Sequence, residues 1–502
     1  MKKILSKNKF LSFLTTTVLL IYVTGCNDFL DEVPDNRVAL DDLDKAAQLL
    51  TGAYSIASPA FTDWMTDDVG FTIGTVLRPV HTQTYAWEDV FDDPNEQDSP
   101  AFYWFQSYAA IAQANEVLNV LESLPAVTSE EIDQKNAIES EALLTRAYAH
   151  FMLVNLFAEH YDESSADGDL GVPFVDTPET VFIQQYSRNT VQEIYDRVEE
   201  DMLRGIELVN DNFFLNSGKY HFNRNAALAF ASRFYLFKGD YDECINYSSQ
   251  MLGNNPGAFV RDLTSDEFLA AGSSVTVYPQ LYSSPEQAGN LLMMRKISLI
   301  QRTDFGHGPT RDTYNDLFDQ NPFFGAADTR ENPAFVRGEN GIAPARYESL
   351  FERNSLNSNV GLPYHIGILF RGEEVLLNRA ESYIEEGRVD EAIDDLQVLV
   401  NNRYDGSDVD LTIDVLRTFF GAVNNPFIND ASLLRRFLRL ERQKEFITQG
   451  MRWFDIKRYE LEVVHVLADE VSTIILREND PRKILQIPQS AIDVGGLVPN
   501  PR

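Results

Sequence analysis

Ser232-Arg-Phe-Tyr-Leu-Phe-Lys-Gly-Asp-Tyr-Asp-Glu-Cys244 and Ala380-Glu-Ser-Tyr-Ile-Glu-Glu-Gly-Arg-Val-Asp-Glu-Ala392 can be laid over one another on their glycines, Gly239 and Gly387. Ser232 and Ala380 then stand seven positions before the glycine, Tyr235 and Tyr383 four before it, and Cys244 and Ala392 five after it. Each stretch interrupts a run of helical periodicity, Asn225 to Leu252 and Gly367 to Asn402. Small residues let two helices approach closely, the tyrosine fills the groove between them, and a glycine free to adopt positive φ reverses the chain. Pro256, seventeen positions after Gly239, ends the second helix of its pair. Each stretch therefore reads as a helical hairpin, and Cys244 as a small buried residue at a helix crossing.

The pattern resembles the tetratricopeptide repeat, a hairpin that must stack on neighbours to bury its apolar face. Working outward, helical spacing begins near Leu40, with Leu43, Ala46, Ala47, Leu50 and Tyr54 on one stripe. It recurs from Phe102 to Leu124, from Ile138 to Phe157 after the break at Pro125, and from Leu433 to Glu460. Between Phe61 and Pro100, and again between Gly253 and Tyr364, it lapses into Gly, Pro, Ser and Asn with scattered aromatics, apart from Thr313 to Phe318. Long irregular segments of this kind are expected to be functional where ordered. Ile484 to Ile487 reads as a short strand.

The N-terminus has the three-part form of a secretory signal. Lys2, Lys3, Lys7 and Lys9 form a positive front, Phe10 to Val23 is apolar or hydroxylic, and Thr24-Gly25-Cys26 follows. The apolar run is shorter than the ~20 residues needed to span a bilayer. The placement of Cys26 resembles a bacterial lipobox, which implies cleavage after residue 25, acylation of Cys26, and a tether over 26–36. The full chain of 502 residues is 44% hydrophobic, with formal charge −35; taking away residues 1–25, which hold four lysines and no acid, leaves −39. So negative a surface repels phosphate backbones, which excludes nucleic acid as a partner and leaves the lipid as the means of membrane attachment. With Cys26 lipidated, Cys244 has no disulfide partner, and packing alone must hold the fold.

Four further stretches point one way. They are Cys26-Asn-Asp-Phe-Leu-Asp-Glu-Val-Pro34, Glu373-Glu-Val-Leu-Leu-Asn-Arg-Ala-Glu381, Glu441-Arg-Gln-Lys-Glu-Phe-Ile-Thr-Gln-Gly-Met-Arg-Trp-Phe-Asp455, and Ile487-Pro-Gln-Ser-Ala-Ile492 leading to Pro499-Asn-Pro501. In this order they resemble the SusD/RagB family of Bacteroidetes surface lipoproteins, with departures at Val23 and at Gln449-Gly450. The resemblance implies a mainly α fold of four tetratricopeptide-like hairpins packed against an irregular, loop-rich portion. It divides the chain into an N-terminal helical part, 37–260, and a C-terminal part, 261–502, with the ligand region and a fourth hairpin at 367–402. It also implies a SusC-like TonB-dependent β-barrel partner in the outer membrane, over which the lipoprotein sits as a cell-surface lid, and a glycan cargo. A peptide cargo, or a scaffold without small ligand, is the alternative. Within the third stretch, Arg442, Arg452 and Arg458 alternate with Glu441, Glu445 and Asp455, so guanidinium forks can pair carboxylates and fix the turn.

No catalytic constellation accompanies these motifs. The seven histidines show no metal-ligand spacing, and neither a nucleophile elbow nor a phosphate loop occurs. Glu163-Ser-Ser-Ala-Asp-Gly-Asp169 begins like a calcium loop, but its twelfth position is Phe174. No cofactor, metal or enzymatic activity is expected. A sugar ring presents an apolar C–H face that an indole or phenol can cover, while amides and carboxylates take its hydroxyls. The candidates are Trp64, Tyr85 and Trp87 in the first irregular segment, and Tyr278, Tyr282, Phe305 and Tyr314 in the second. Trp104 and Trp453, within or beside helices, read as packing.

Overall fold

The computed structural model describes residues 40–502, apart from 75–76, 90–92, 182–183, 215–216, 301–304, 407–408, 424, 426 and 470. The expected signal peptide, Cys26 and the tether lie outside the described residues. The chain divides into Met1–Asp42 and Leu43–Arg502, and the second unit holds all the helices and strands described.

Helices predominate, and their ends are written in the sequence. Ser99 accepts from the Phe102 N–H with Pro100 at the first position, starting Pro100–Ser123. Thr128 and Glu131 form a reciprocal capping box at the start of Ser129–Phe157. That helix begins before the apolar periodicity does, because its first turns face solvent. Thr190 and Glu193 form a second capping box, opening Val191–Leu208, a helix absent from the periodicity reading. Gly205 brings it against its neighbour, since a Cβ there would lie 2.6 Å from Leu144 Cγ. Arg146 clamps the same junction, donating to both Asp201 carboxylate oxygens at 2.8 Å and to Asn115 at 3.0 Å.

The two glycine hairpins close alike. Gly239 and Gly387 have φ of 78° and 72°, and the following amides donate back equivalently, Asp240 to Tyr235 at 3.0 Å and Arg388 to Tyr383 at 2.7 Å. Arg224–Lys238 packs on Tyr241–Leu252, which packs on Gly372–Glu385, which packs on Val389–Asn401. At the crossing, Ser248 donates to Ser232 at 2.8 Å, Asn378 to Ser232 at 3.2 Å, and the Cys244 thiol to the Ser232 carbonyl at 3.3 Å. Burial pushes that thiol up to about 11, so Cys244 is inert packing.

The irregular portions differ from expectation in detail. Gly367–Arg371 is the end of a strand, Gly361–Arg371, and the helix starts only at Gly372. This strand pairs antiparallel with Asn290–Lys296 on one side and Leu350–Arg353 on the other. Its run Ile368-Leu-Phe370 is buried, as a strand covered on both faces requires. Ile484–Ile487 forms no strand, and the first irregular segment contains a 3-10 helix, Pro59–Met65, and a short helix, Pro79–Tyr85.

The irregular portion is joined to the helices by buried ion pairs. Arg403 donates to both oxygens of Glu445 at 2.7 and 2.9 Å and to Glu373 at 3.2 Å. Arg261 reaches Glu373 at 3.1 Å, Arg330 reaches Asp328 at 2.6 Å and Glu441 at 2.8 Å, and Lys444 reaches Asp328 at 3.2 Å. Four cations thus meet four carboxylates, all nearly excluded from water. A second cluster sets Arg442 and Arg458 against Asp455, with Arg458 also on Glu381. Burial alone would raise the Asp455 carboxyl, but the two guanidiniums outweigh it and hold it down at about 2. Arg452 pairs outside its own motif, with Asp67 at 2.7 and 2.9 Å.

Removing one member leaves its partners charged and buried. Arg403→Ala is expected to lower unfolding free energy by about 3–5 kcal/mol in urea melts. A loss below about 1 kcal/mol would contradict the compensation described.

Candidate functional site

Four of the seven candidate aromatics converge. Pro59–Met65 carries Trp64, the short helix carries Tyr85, and the turn after it carries Trp87. Gly70–Phe71 pairs antiparallel with His307–Gly308, which draws Phe305 into the same place. The Trp64 indole stacks on His81 at 3.7 Å between centroids, and Phe305 stands edge-on to both rings. His465, from the strand Val463–Val466, is sandwiched between Tyr85 at 4.1 Å and Trp87 at 4.2 Å. The polar tips are spoken for: Trp64 donates to the His307 carbonyl, Trp87 to the Met65 carbonyl and Tyr85 to the Val466 carbonyl, at 3.2, 3.0 and 2.8 Å.

All four rings are therefore buried, three stacked on the protein's own histidines and Phe305 edge-on to one. Trp87 nonetheless reaches an open groove of about 220 Å³. Its lining includes Trp87, Glu88, Asp89, Arg482, Ile487–Gln489 and Arg502, and Arg502 pairs with Asp89 at 2.7 Å. The Arg482 guanidinium lies 5.7 Å from the Trp87 ring centre. Trp87 has φ of 53°, a left-handed conformation that costs a bulky residue about 1–3 kcal/mol and persists only where the surroundings enforce it. The groove thus brings together an indole, carboxylates, an amide and guanidiniums, with Arg482 paired to Asp480 at 2.6 Å.

The other three candidates lie elsewhere, in the core. Tyr278 and Tyr282 stack at 5.9 Å, with the Arg261 guanidinium 4.0 Å from the Tyr282 ring centre. Arg346 donates to the Tyr278 hydroxyl at 3.2 Å, and Tyr314 donates to the Glu331 carbonyl at 2.5 Å. Each is at most 1% exposed: Tyr278 and Tyr282 wall Arg346 and Arg261, and Tyr314 packs on Phe318. These three tyrosines are corrected from ligand candidates to packing partners. Among the described residues no group of three or more His, Cys, Asp or Glu is placed to hold a metal. The acidic turn at 163–169 is held by its own side chains, Ser165 donating to Asp169 at 2.6 Å.

Two family models match the chain. One, described as starch-binding and associating with the outer membrane, spans residues 28–236, and the SusD family model spans residues 351–501. The chain belongs to the SusD/RagB family. A SusD superfamily protein from Bacteroides thetaiotaomicron aligns with a TM-score of 0.65 at 22% identity, over 92% of this chain and all of the other. A protein from Bacteroides vulgatus described as sugar binding aligns with a TM-score of 0.68 at 20% identity, over 93% and 99%. These identities support the shared fold alone. A SusD-like protein from Formosa agariphila is 23% identical over 269 residues, 50% of this chain and 48% of that relative, so the match spans about half the relative's length. A second from the same organism is 22% identical over 406 residues, 72% and 73% of the two chains.

In this SusD/RagB chain the most recognisable motifs have structural work. Glu373, Glu381, Glu441, Arg442, Glu445 and Asp455 belong to the buried ion pairs, whereas the C-terminal motif lines the groove through Ile487, Pro488 and Gln489. Sequence reasoning missed His81, His307 and His465, whose role as stacking spacers leaves no spacing signal.

His81 is 1% exposed, and neither ring nitrogen has a hydrogen-bond partner. Burial, then Arg78 and His307, pull it down to about 3, against ~6.5 in the unfolded chain. The unfolded state therefore takes up a proton that the folded state refuses, and His81 costs stability progressively as pH falls below ~6.5. The unfolding free energy of His81→Phe should rise relative to the parent by about 2 kcal/mol between about pH 7.5 and about pH 5. A pH-independent difference would contradict this assignment.

Proposed function

We propose that this protein is a non-enzymatic, lipid-anchored cell-surface protein that captures a neutral glycan and delivers it to a SusC-like TonB-dependent transporter in the outer membrane. The observation that carries this reading is the family match over residues 28–236, whose description joins starch binding to the outer membrane and whose span includes Trp64, Tyr85 and Trp87. The groove at Trp87 supports it with a ring edge, carboxylates and an amide within one cleft. The charge narrows the cargo, since a chain at −35 repels sulfated and uronic polysaccharides and leaves neutral ones. Cys26 supplies the anchor in this reading, with two or more acyl chains needed for stable attachment.

The test is affinity electrophoresis of the purified mature protein through gels holding neutral polysaccharides, starch-type glucan among them, or sulfated ones. Retardation is expected in a neutral gel and not in a sulfated one. The double variant Glu88→Ala, Gln489→Ala changes two exposed groove residues and should weaken that binding about tenfold with the melting temperature unchanged. Equal retardation of variant and parent would move the site away from the groove; absence of retardation in every neutral gel would remove the glycan reading.

A further inference from the structure

A second cavity, of about 40 Å³, lies where the three-stranded sheet meets the Ser58–Ala60 turn and the Gln449–Met451 turn. A water needs ~10–15 Å³ of such space, so the cavity has room for roughly three waters or one small ion. Its wall is cationic. Lys296 and His365 stand opposite each other in the strand register, and Arg371 lies further along the same strand as His365.

These cations are compensated quite differently from the rest of the interior. Lys296 is 4% exposed and has no carboxylate within 4.0 Å among the described residues; its ammonium donates to the Ser55 carbonyl at 2.6 Å. Arg371 is 3% exposed and likewise has no carboxylate within 4.0 Å among the described residues, although Glu374 and Glu373 lie near enough to favour its charge. Its Nη2 donates to the Tyr347 hydroxyl at 3.2 Å and the Ile368 carbonyl at 2.9 Å, while Nε and Nη1 have no partner. His365 Nδ1 also lacks a partner. The nearby acids are committed elsewhere, Glu374 to Arg233 at 2.5 Å and Glu373 to Arg261 and Arg403. An uncompensated buried cation costs several kcal/mol. Burial pulls the Lys296 ammonium down to about 7, and a ligand that accepts hydrogen bonds and carries negative charge would hold it protonated beside Arg371.

We propose that this cavity binds one small monovalent anion, of halide or formate size, between Lys296 and Arg371, with His365 as a neutral donor. The volume excludes a sugar ring, so the site is separate from glycan capture and stands whether or not that reading holds. The anion would tie the sheet to the turn of Gln449 and Met451, where Thr448 is held at φ of 60°.

The probe is bromide. Crystals of the wild-type mature protein grown in sodium bromide should show an anomalous peak between Lys296 and Arg371. In solution, bromide or formate should raise the melting temperature saturably, on the order of 2–3 °C at a hundredfold excess over Kd, relative to gluconate at equal ionic strength. Lys296→Met should abolish the saturable part of that rise. If the variant does not fold, the wild-type crystals decide. Bromide peaks on the surface with none in the cavity, or equal melting temperatures in bromide and gluconate, would overturn the proposal.

Discussion

The arrangement depends on a buried charge balance. Arg261, Arg330, Arg403 and Lys444 meet Asp328, Glu373, Glu441 and Glu445 where the repeat-like helices adjoin the irregular portion. No member can leave alone, because Coulomb attraction must repay the desolvation of each charge. Arginine forks suit this geometry because they address two carboxylates at once, as Arg403 does with Glu373 and Glu445. The irregular portion has few helices with which to bury apolar stripes. Ion pairs fix its position instead, and Tyr282 and Tyr404 wall them in.

From that junction the groove follows. Asp67 holds Arg452, and both Asp63 carboxylate oxygens accept from the Gly450 N–H, which fixes Pro59–Met65 against the motif turn. Trp64 is then placed to stack on His81, and the histidines space the aromatic rings so that Trp87 arrives at the groove edge. A stacked histidine beneath an indole fixes the ring's tilt without spending its outer rim.

The helical half was legible because its signals are local. The paired glycines, the small residues at Ser232 and Cys244, and the spacing of Tyr235 and Tyr383 each act within one hairpin, and the backbone bonds at Asp240 and Arg388 repeat accordingly. Val191–Leu208 was legible by the same local signals, since Val191, Ile194, Tyr195, Val198 and Met202 form its buried stripe behind the Thr190/Glu193 capping box, with Asp201 the one acid on that face. The site was less legible. Aromatic content singled out two segments but said nothing of depth: Tyr278 and Tyr282 lie against Arg346 and Arg261, and Tyr314 packs on Phe318. Lys296 facing His365, and Trp87 facing Arg482, are pairings of distant residues that no spacing announces.

The central claim, that this SusD/RagB chain hands a captured glycan to a transporter, is tested most directly by purifying the lipidated protein from native outer membranes. Mass spectrometry of the eluate should find a TonB-dependent barrel in near-equal amount and an acylated Cys26 peptide. An eluate without any such barrel, from membranes whose other barrels remain intact, would contradict the account.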